Sequence, residues 1–348
     1  MSGLRKNIER WMRQDEIGTL PGLFLSSLSS VYSSGVRLRS FLYGSGIYRA
    51  KRLPCRVISV GNLTVGGTGK TPVAIHIAEF LKKNNARVAI LSRGYKGSTK
   101  GVTAVSDGKN ILTGPKEAGD EPYLMAERLK GVPVVIGADR YKAGLFAIEN
   151  FSPDFIILDD GFQHIRLARD LNILLIDSIE GFGNGHLLPR GILREPVEAV
   201  KRADMIMVKG GASKDDLKRF DKPVFEFSYK PIALRDINNN IEAGLGFITG
   251  RKVLAIAGIA SPSSFFKSLA ELNADIIKTL SFPDHHDYIQ SDINEIRARS
   301  RGAELIIATE KDGVKLKGQS LGLPAFSLAI DAEIKDKETF YGLLLPRK

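Results

Sequence analysis

The stretch "VISVGNLTVGGTGKTPVAIHIAEFLKKN", residues 57–84, decides the fold. An apolar run leads into a loop that holds four glycines, and Gly-Lys-Thr then opens a segment with helical spacing. Backbone N–H groups of such a loop surround phosphate oxygens at a helix N-terminus, while the lysine reaches the outer phosphates and the threonine binds magnesium. We therefore predict a phosphate-binding loop made of Thr64, Val65, Gly66, Gly67, Thr68, Gly69, Lys70 and Thr71.

The loop departs from the usual GxxxxGK[ST] pattern at its first position, where Thr64 replaces glycine. The preceding strand pattern and the following helix pattern supply the context that this motif requires. Dimer-switched ATPases use a related KGGxGKT loop, whose first lysine reaches across the dimer. Val65 stands in place of that lysine, which disfavours this class.

Length and composition indicate a globular protein of two domains. The chain has 348 residues, of which 43% are apolar and 26% charged, and one hydrophobic core rarely serves a chain of this length. A single cysteine, Cys55, excludes a disulfide framework and a cysteine-based zinc site.

Short β-rich runs alternate with helical patterns, which predicts a doubly wound, mainly parallel α/β fold with ligands at the carboxyl ends of its strands. The predicted strands cover residues 56–60, 87–91, 132–136, 154–158, 171–176, 204–208, 252–257 and 304–309. The predicted helices include residues 70–84, 117–130 and 262–272. We divide the chain into a helical segment (1–50), a phosphate-loop domain (51–224), a short antiparallel β-linker (225–250) and a smaller α/β domain (251–348).

The net charge of +11 is concentrated at the N-terminus, where residues 1–56 hold ten basic and three acidic side chains. Between the basic clusters, residues 17–36 carry no charge. A helix beginning near Thr19 and Pro21 would place Leu20, Phe24, Leu28 and Val31 along one face and six serines over much of the other. Two interpretations remain open: an amphipathic helix in a membrane interface, or a helix packed on the body of the protein.

"FIILDDGFQH" places Asp159 and Asp160 at the end of a buried strand. Acids in this position order Mg²⁺ in nucleotide-binding proteins, directly or through water. Gln163 and His164 project from the same turn, and a histidine there suits a structural role as well as a catalytic one.

Transfer of a phosphoryl group also needs an acceptor for a proton. "GDEP" offers Asp120 and Glu121 at a helix start, where acids also act as caps. "SFPDHHDY" offers Asp284, His285 and His286, in which a carboxylate and an imidazole could share the proton. The residues alone leave the choice between Asp120 and Asp284 open.

Arginine provides bidentate contacts to phosphate. Candidates are Arg93, which follows a strand, and Arg190 and Arg194 of "RGILREP", which is followed by Glu195. A surface salt bridge is the alternative for each of them. "TEKDGVK", residues 309–315, is superficially like the guanine-reading NKxD motif, but its lysine is one position too late, so we infer no guanine binding.

The motifs "GNLTVGGTGKTP", "SRGY", "GDEP", "LDDGFQH", "GNGHLLPRGILREP", "GIASPSSFF", "FPDHHDY" and "TEKD" occur in this order from about residue 60 to 315. Together they closely resemble the tetraacyldisaccharide 4′-kinase family of lipid A biosynthesis. The resemblance implies an ATP- and Mg²⁺-dependent kinase at the cytoplasmic face of the inner membrane. Its substrate would be a lipid A disaccharide 1-phosphate, phosphorylated at the 4′-hydroxyl to give lipid IVA.

The resemblance also implies roles for individual residues. Asp120 would accept the proton of the 4′-hydroxyl with His285 orienting it, and Lys70 and Arg194 would stabilise the transferring phosphoryl group. The residues expected to hold Mg²⁺ or its waters are Thr71, Asp159, Asp160, Glu121 and Glu195. The remaining candidates for substrate contacts are Arg93, Gln163, His164 and Arg190.

Besides the lipid substrate, we expect the surface of the inner membrane as a partner, no nucleic acid and no obligate protein partner. Two other functions are compatible with the phosphate loop. A kinase or synthetase for a soluble metabolite would have no need for residues 17–36, and a nucleotide switch on membranes is disfavoured by Val65.

Overall fold

A computed structural model describes residues 11–12, 19–211, 215–239 and 241–345 of the chain. The basic residues Arg5, Lys6, Arg10 and Arg13 lie outside the described residues, as does the side chain of Leu20. The sequence that decides the fold forms a strand, a loop and a helix, as predicted. The strand ends at Asn62 and the helix begins at Lys70.

The elements of the first two thirds of the chain alternate as predicted. They are α1 (Thr19–Gly44), β1 (Arg56–Asn62), α2 (Lys70–Lys83), β2 (Val88–Ser92), β3 (Thr103–Ser106), α3 (Pro115–Ala118), α4 (Asp120–Arg128), β4 (Val134–Ile136), α5 (Arg140–Phe151), β5 (Phe155–Asp159), β6 (Leu171–Asp177), β7 (Met205–Lys209) and α6 (Asp215–Lys218).

The last third begins with a long strand and continues with a second alternating section. Its elements are β8 (Val224–Asp236), β9 (Glu242–Ala243), β10 (Lys252–Ala257), α7 (Pro262–Glu271), β11 (Asp275–Ser281), α8 (Gln290–Arg299), β12 (Leu305–Thr309), α9 (Glu310–Leu316), β13 (Ala325–Ile334) and α10 (Lys337–Leu344). Short 3₁₀ helices occupy Val197–Arg202 and Leu245–Ile248.

In the described part of the chain, the strands form a single sheet of 13 strands in the order β11-β10-β12-β13-β8-β7-β6-β1-β5-β2-β4-β3, with β9 beside β8. Most neighbours are parallel, and β8 with β13, β3 with β4 and β8 with β9 are antiparallel. The phosphate loop follows β1, whose neighbours β5 and β6 are both parallel to it. The loops after these strands therefore meet at one edge of the sheet, where the fold class places ligands.

The predicted helix over residues 117–130 was wrong as one continuous helix. Gly119 has a φ of 88° and separates α3 from α4, because a residue in this conformation does not continue a right-handed helix. The break makes Asp120 the first residue of α4. The segment predicted as a short antiparallel β-linker contains the antiparallel pairing of β8 with β9, and its role as a linker stays a prediction.

The end of the chain returns to the phosphate-loop helix. Phe340 and Leu344 of α10 are buried in the same core cluster as Ile77 and Leu81 of α2. The ring of Tyr341 stacks on Phe80 with 3.9 Å between ring centroids. Contacts therefore join the first and last parts of the chain, and the division into domains stays a prediction.

Among the described residues, helix α1 comprises Thr19–Gly44. One side contacts the body: the Ser29 hydroxyl donates to the Leu187 carbonyl at 2.8 Å and the Tyr32 hydroxyl to the Arg194 carbonyl at 2.9 Å. The other side exposes large apolar side chains, of which Leu23 is 67% and Phe24 66% exposed. The helix thus combines features of both interpretations. None of the described helices has the length and apolarity needed to cross a bilayer.

Candidate active site

The phosphate loop is held from two sides. Its last glycine, Gly69, has a φ of 79° and precedes α2. The Lys70 ammonium lies 3.3 Å from Asn62 Oδ1 and 3.6 Å from Asp160 Oδ1. The hydroxyl of Tyr229, on β8, donates to the Gly69 carbonyl at 2.5 Å. The lysine of the loop is therefore oriented toward the end of the adjacent strand β5.

Asp159 and Asp160 stand at the end of β5, which pairs with β1 so that Val60 lies opposite Asp159. Asp159 is 1% exposed. Burial, together with the charges of Glu121 and Asp160, raises the pKa of its carboxyl to about 7. Burial also acts on Asp160, but Lys70 and Arg194 lower its pKa overall. Asp160 has a φ of 52°, a strained conformation that is typical of functional sites.

The residues after β1 and β5 fit a divalent cation. Both carboxylate oxygens of Asp159 are buried and have no hydrogen-bond partner among the described residues, and an unpaired buried carboxylate is costly. The Thr71 side chain is buried in the first turn of the neighbouring α2. The described residues contain no cluster of three or more His, Cys, Asp or Glu side chains that could hold a metal ion.

The Asp120 carboxylate and the His285 imidazole contact each other directly. Asp120 Oδ2 lies 3.1 Å from His285 Nδ1 and 2.9 Å from Lys315 Nζ. Burial acts to raise the pKa of Asp120, but hydrogen bonds from His285 and Lys315 lower it overall. Asp284, the alternative partner of His285, also lines the cleft.

Arg194 and Glu195 have different partners although they are adjacent in sequence. Arg194 Nη1 donates to both carboxylate oxygens of Asp160, at 3.1 and 2.9 Å. Glu195 is fully buried and accepts hydrogen bonds from Arg39 at 2.8 Å and Arg202 at 2.5 Å. Arg194 thus reaches the acidic end of β5, whereas two guanidinium groups neutralise Glu195.

Three of the other candidates for substrate contacts, Arg93, Gln163 and His164, line one cleft. Gln163 Nε2 donates to the Asn62 carbonyl at 2.8 Å. Burial, and then the charge of Arg140, lowers the pKa of His164 to about 4, so this imidazole is neutral near pH 7. Arg93 lines the cleft, and Arg190 donates to the Ser26 hydroxyl of α1 at 3.0 Å.

A cleft of about 990 Å³ lies at this site. Its wall includes the phosphate loop, Asp159, Asp160, Arg194 and His285. Val31, Tyr32, Val36 and Arg39 of α1 contribute to the same wall. The exposed apolar helix and the phosphate loop therefore share one cavity.

Several residues of the site were not predicted from the sequence. Arg140 is buried and lines the cleft. Lys311 and Lys315 pair with Glu121 and Asp120, at 2.5 and 2.9 Å. A signal was present in "TEKDGVK", because lysines four residues apart at the end of a strand lie on one face of a following helix.

Comparison with known proteins gives the family. Its sequence profile, tetraacyldisaccharide-1-P 4′-kinase, matches residues 22–347. The tetraacyldisaccharide 4′-kinase of Syntrophus aciditrophicus is 44% identical, over 93% of this chain and 92% of its own length. The tetraacyldisaccharide 4′-kinase of Desulfatibacillum aliphaticivorans is 43% identical, over 99% of this chain and 98% of its own length.

A solved structure is similar over nearly the whole chain. The structure of LpxK from Aquifex aeolicus, described as an "apo" form in complex with ATP, superposes with a TM-score of 0.78 at 37% identity. It covers 93% of this chain and 98% of its own. The extent of these matches and the order of the motifs along the sequence lead to one conclusion: the chain belongs to the tetraacyldisaccharide-1-P 4′-kinase family.

Proposed function

We propose that the protein transfers the γ-phosphoryl group of ATP to the 4′-hydroxyl of a tetraacyldisaccharide 1-phosphate, forming lipid IVA in lipid A biosynthesis. The observation that carries this proposal is the shared cleft: the phosphate loop and His285, which contacts Asp120, line one cavity in a chain of this kinase family. ATP use is supported by the ATP complex of the similar structure.

In the proposed reaction the 4′-oxygen attacks the γ-phosphorus, an O–P bond forms, and the bond to the departing ADP breaks. The hydroxyl proton passes to the Asp120 carboxylate, and His285, 3.1 Å away, orients that carboxylate and shares the proton. Lys70 and Arg194 stabilise the charge on the transferring group. For Arg194 this means exchanging part of its contact with Asp160 for phosphate oxygens.

Mg²⁺ supplies charge neutralisation at the phosphates when it is bound. Thr71, Asp159 and Asp160 are the residues that we propose hold it or its waters, because they follow β1 and β5 side by side and Asp159 has unpaired oxygens among the described residues. We propose Glu121 and Glu195 as further Mg²⁺ ligands, after these three residues. Each of them already has a cationic partner, Lys311 or two arginines, which would have to share it.

The lipid acceptor and the membrane are proposed on the basis of α1. Its apolar side chains Leu23, Phe24 and Leu28 are exposed, and Val31 and Val36 continue along the helix into the wall of the cleft. A helix of this kind in the membrane interface would let a four-chain lipid reach the cleft without leaving the bilayer. We therefore propose peripheral attachment to the cytoplasmic face of the inner membrane.

Four further side chains are proposed to contact the disaccharide or its 1-phosphate: Arg93, Gln163, His164 and Arg190. Arg93, Gln163 and His164 line the cleft. The neutral imidazole of His164 suits hydrogen bonding to a sugar rather than charge pairing with a phosphate. Arg190 contacts α1 through Ser26, so it lies at the side from which the lipid would enter.

The experiment is transfer of label from γ-labelled ATP to tetraacyldisaccharide 1-phosphate in detergent micelles. We expect label in the lipid, and none when the acceptor already carries a 4′-phosphate. Hydrolysis of ATP without labelled lipid would refute the proposal and favour a nucleotide switch. Label appearing only in added soluble sugars would favour the metabolite kinase.

A further inference from the structure

The segment "TEKDGVK", Thr309–Lys315, has no role in the reaction proposed above. It nevertheless lies against the Asp120–His285 pair, which we call the dyad. Lys311 and Lys315 are one helical turn apart on α9 and face consecutive acids at the start of α4. The Lys311 ammonium lies 2.5 Å from Glu121 Oε1, and the Lys315 ammonium 2.9 Å from Asp120 Oδ2.

Lys315 also contacts the loop that carries His285. Its ammonium donates to the His286 carbonyl at 2.9 Å, and its side chain is only 10% exposed. One buried cation therefore joins two parts of the site that are distant in sequence. One is the Asp120 carboxylate, and the other is the backbone next to the imidazole that Asp120 faces.

The loop requires such support, because His285 has a φ of 57°. A residue other than glycine keeps this conformation only where its surroundings fix it. Asp312 of α9 provides a second anchor: its carboxylate accepts from the Tyr288 hydroxyl at 2.9 Å and from the Gly258 N–H at 2.8 Å. Helix α9 thus holds the loop at His286 and at Tyr288, in the stretch directly after the strained residue.

We propose that Lys315 is a positioning residue of the phosphoryl-transfer reaction, which fixes Asp120 and the His285 loop in the arrangement where the two side chains meet. This inference rests on the proposed role of the Asp120–His285 pair. The phosphate loop follows β1 and contacts β8 through Tyr229, so the effect of Lys315 belongs to the acceptor side of the cleft. Its loss should reduce turnover and leave ATP binding in place.

The first test is the variant Lys315→Met, which keeps an unbranched side chain and removes the ammonium. We expect kcat to fall about ten- to a hundredfold, as small displacements of reacting groups do, with the KM for ATP within about threefold of its original value. Lys315→Arg should recover most of the loss, because a guanidinium also donates to two acceptors.

Lys317→Met is the matched control. Lys317 pairs with Glu127, so it joins the same part of the chain to the same helix α4, away from the dyad. We expect a small loss of stability and an unchanged kcat. Equal losses of kcat in the Lys315 and Lys317 variants, or full kcat in folded Lys315→Met, would overturn the inference.

A double-mutant cycle keeps the inference testable if Lys315→Met folds poorly. Lys315→Gln retains a hydrogen-bond donor and is combined with Asp120→Asn. If Lys315 acts through Asp120, its replacement costs little further activity in the Asp120→Asn background. Losses that simply multiply would refute a positioning role. Full activity of Asp120→Asn alone would refute the proposed dyad, whereas an impaired Asp120→Asn with an active Lys315 variant refutes only the role of Lys315.

Discussion

At Gly69 the backbone leaves no room for a side chain. Its φ is 79°, and a Cβ atom added there would lie 1.9 Å from the Tyr229 hydroxyl oxygen. Gly69→Ala would therefore displace Tyr229 or the loop, and we expect at least about tenfold weaker binding of a non-hydrolysable ATP analogue by calorimetry. Gly101→Ala is the control, since Gly101 has a φ of 90° but no described atom within 4 Å of the added Cβ. Equal affinities of the two variants would contradict the crowding at Gly69.

Cys55 allows a pH test that does not involve the active site. Burial, and then the nearby charges of Asp170 and Asp154, raises the pKa of its thiol to about 11. Because the thiolate is the reactive form, alkylation of the folded protein should be slow at pH 8 and continue to accelerate up to about pH 11. In urea the alkylation rate should level off above about pH 8.5, the usual pKa of a cysteine thiol. A folded-state rate that levels off near pH 9 would contradict the shift.

At the scale of single residues, the sequence predicted the acids at the end of β5 but not all of their partners. Motif and strand context were enough for Asp159 and Asp160, because both clues are local. The partner of His285 stayed open between Asp120 and Asp284, since the contact joins α4 to a loop 165 residues away. The paired arginines of Glu195 depend in the same way on the docking of α1, which supplies Arg39.

At the scale of elements, the ends of the buried parallel strands were predicted to within a few residues. Several strands outside that pattern were missed. The missed strands include β3, β11 and β13. Strand β3 has four residues at an edge of the sheet, and β11 is half-exposed at the other edge. Strand β13 contains alanine and acidic residues, which disfavour strands in isolation. It forms because β12 and β8 lie on its two sides.

The exposed side of α1 yields a prediction about membrane binding. Replacing both Leu23 and Phe24 by serine removes two apolar side chains, each worth about 1.5–3 kcal/mol when transferred from water. We expect at least about tenfold less sedimentation with anionic vesicles. Thermal stability should be unchanged, since both side chains are exposed in the free protein.

Ile179→Ser is the control for this experiment. Ile179 is 94% exposed and lies outside α1. Its replacement should leave vesicle binding unaltered if α1 is the membrane-binding element. Equal sedimentation of the Leu23/Phe24 variant and the unmodified protein would show that α1 only packs on the body.

At the scale of the whole molecule, β8 joins the two parts that the sequence separates. Its first residues, Val224–Phe227, pair in parallel with β7, and the remainder pairs antiparallel with β13. Residues 225–236 of the segment predicted as a linker therefore belong to an internal strand of the sheet. Pairing with β13, about a hundred residues later, leaves no local mark in the sequence, which explains why the continuity of the sheet was not predicted.

A buried ion pair is a further connection between these parts. Arg128, at the end of α4, lies 2.6 Å from Glu310 at the start of α9, and both side chains are buried. Arg128 also donates to the Ile330 carbonyl of β13 at 3.2 Å, while the Ile330 N–H donates to Glu310. The pair thus links α4, α9 and β13 at a point shielded from water.

Removal of one partner of this buried pair should lower the free energy of unfolding much more than removal of one partner of an exposed pair. Glu310→Ala leaves the Arg128 charge buried without its carboxylate, and we expect a loss of about 3–5 kcal/mol in the free energy of unfolding measured with urea. Glu333→Ala breaks the exposed pair with Lys230 between β13 and β8 and should cost at most about 1 kcal/mol. Replacing both Arg128 and Glu310 by methionine should restore part of the loss, because no unpaired charge then remains in the interior. Similar costs for Glu310→Ala and Glu333→Ala would contradict the shielding of Arg128 from water.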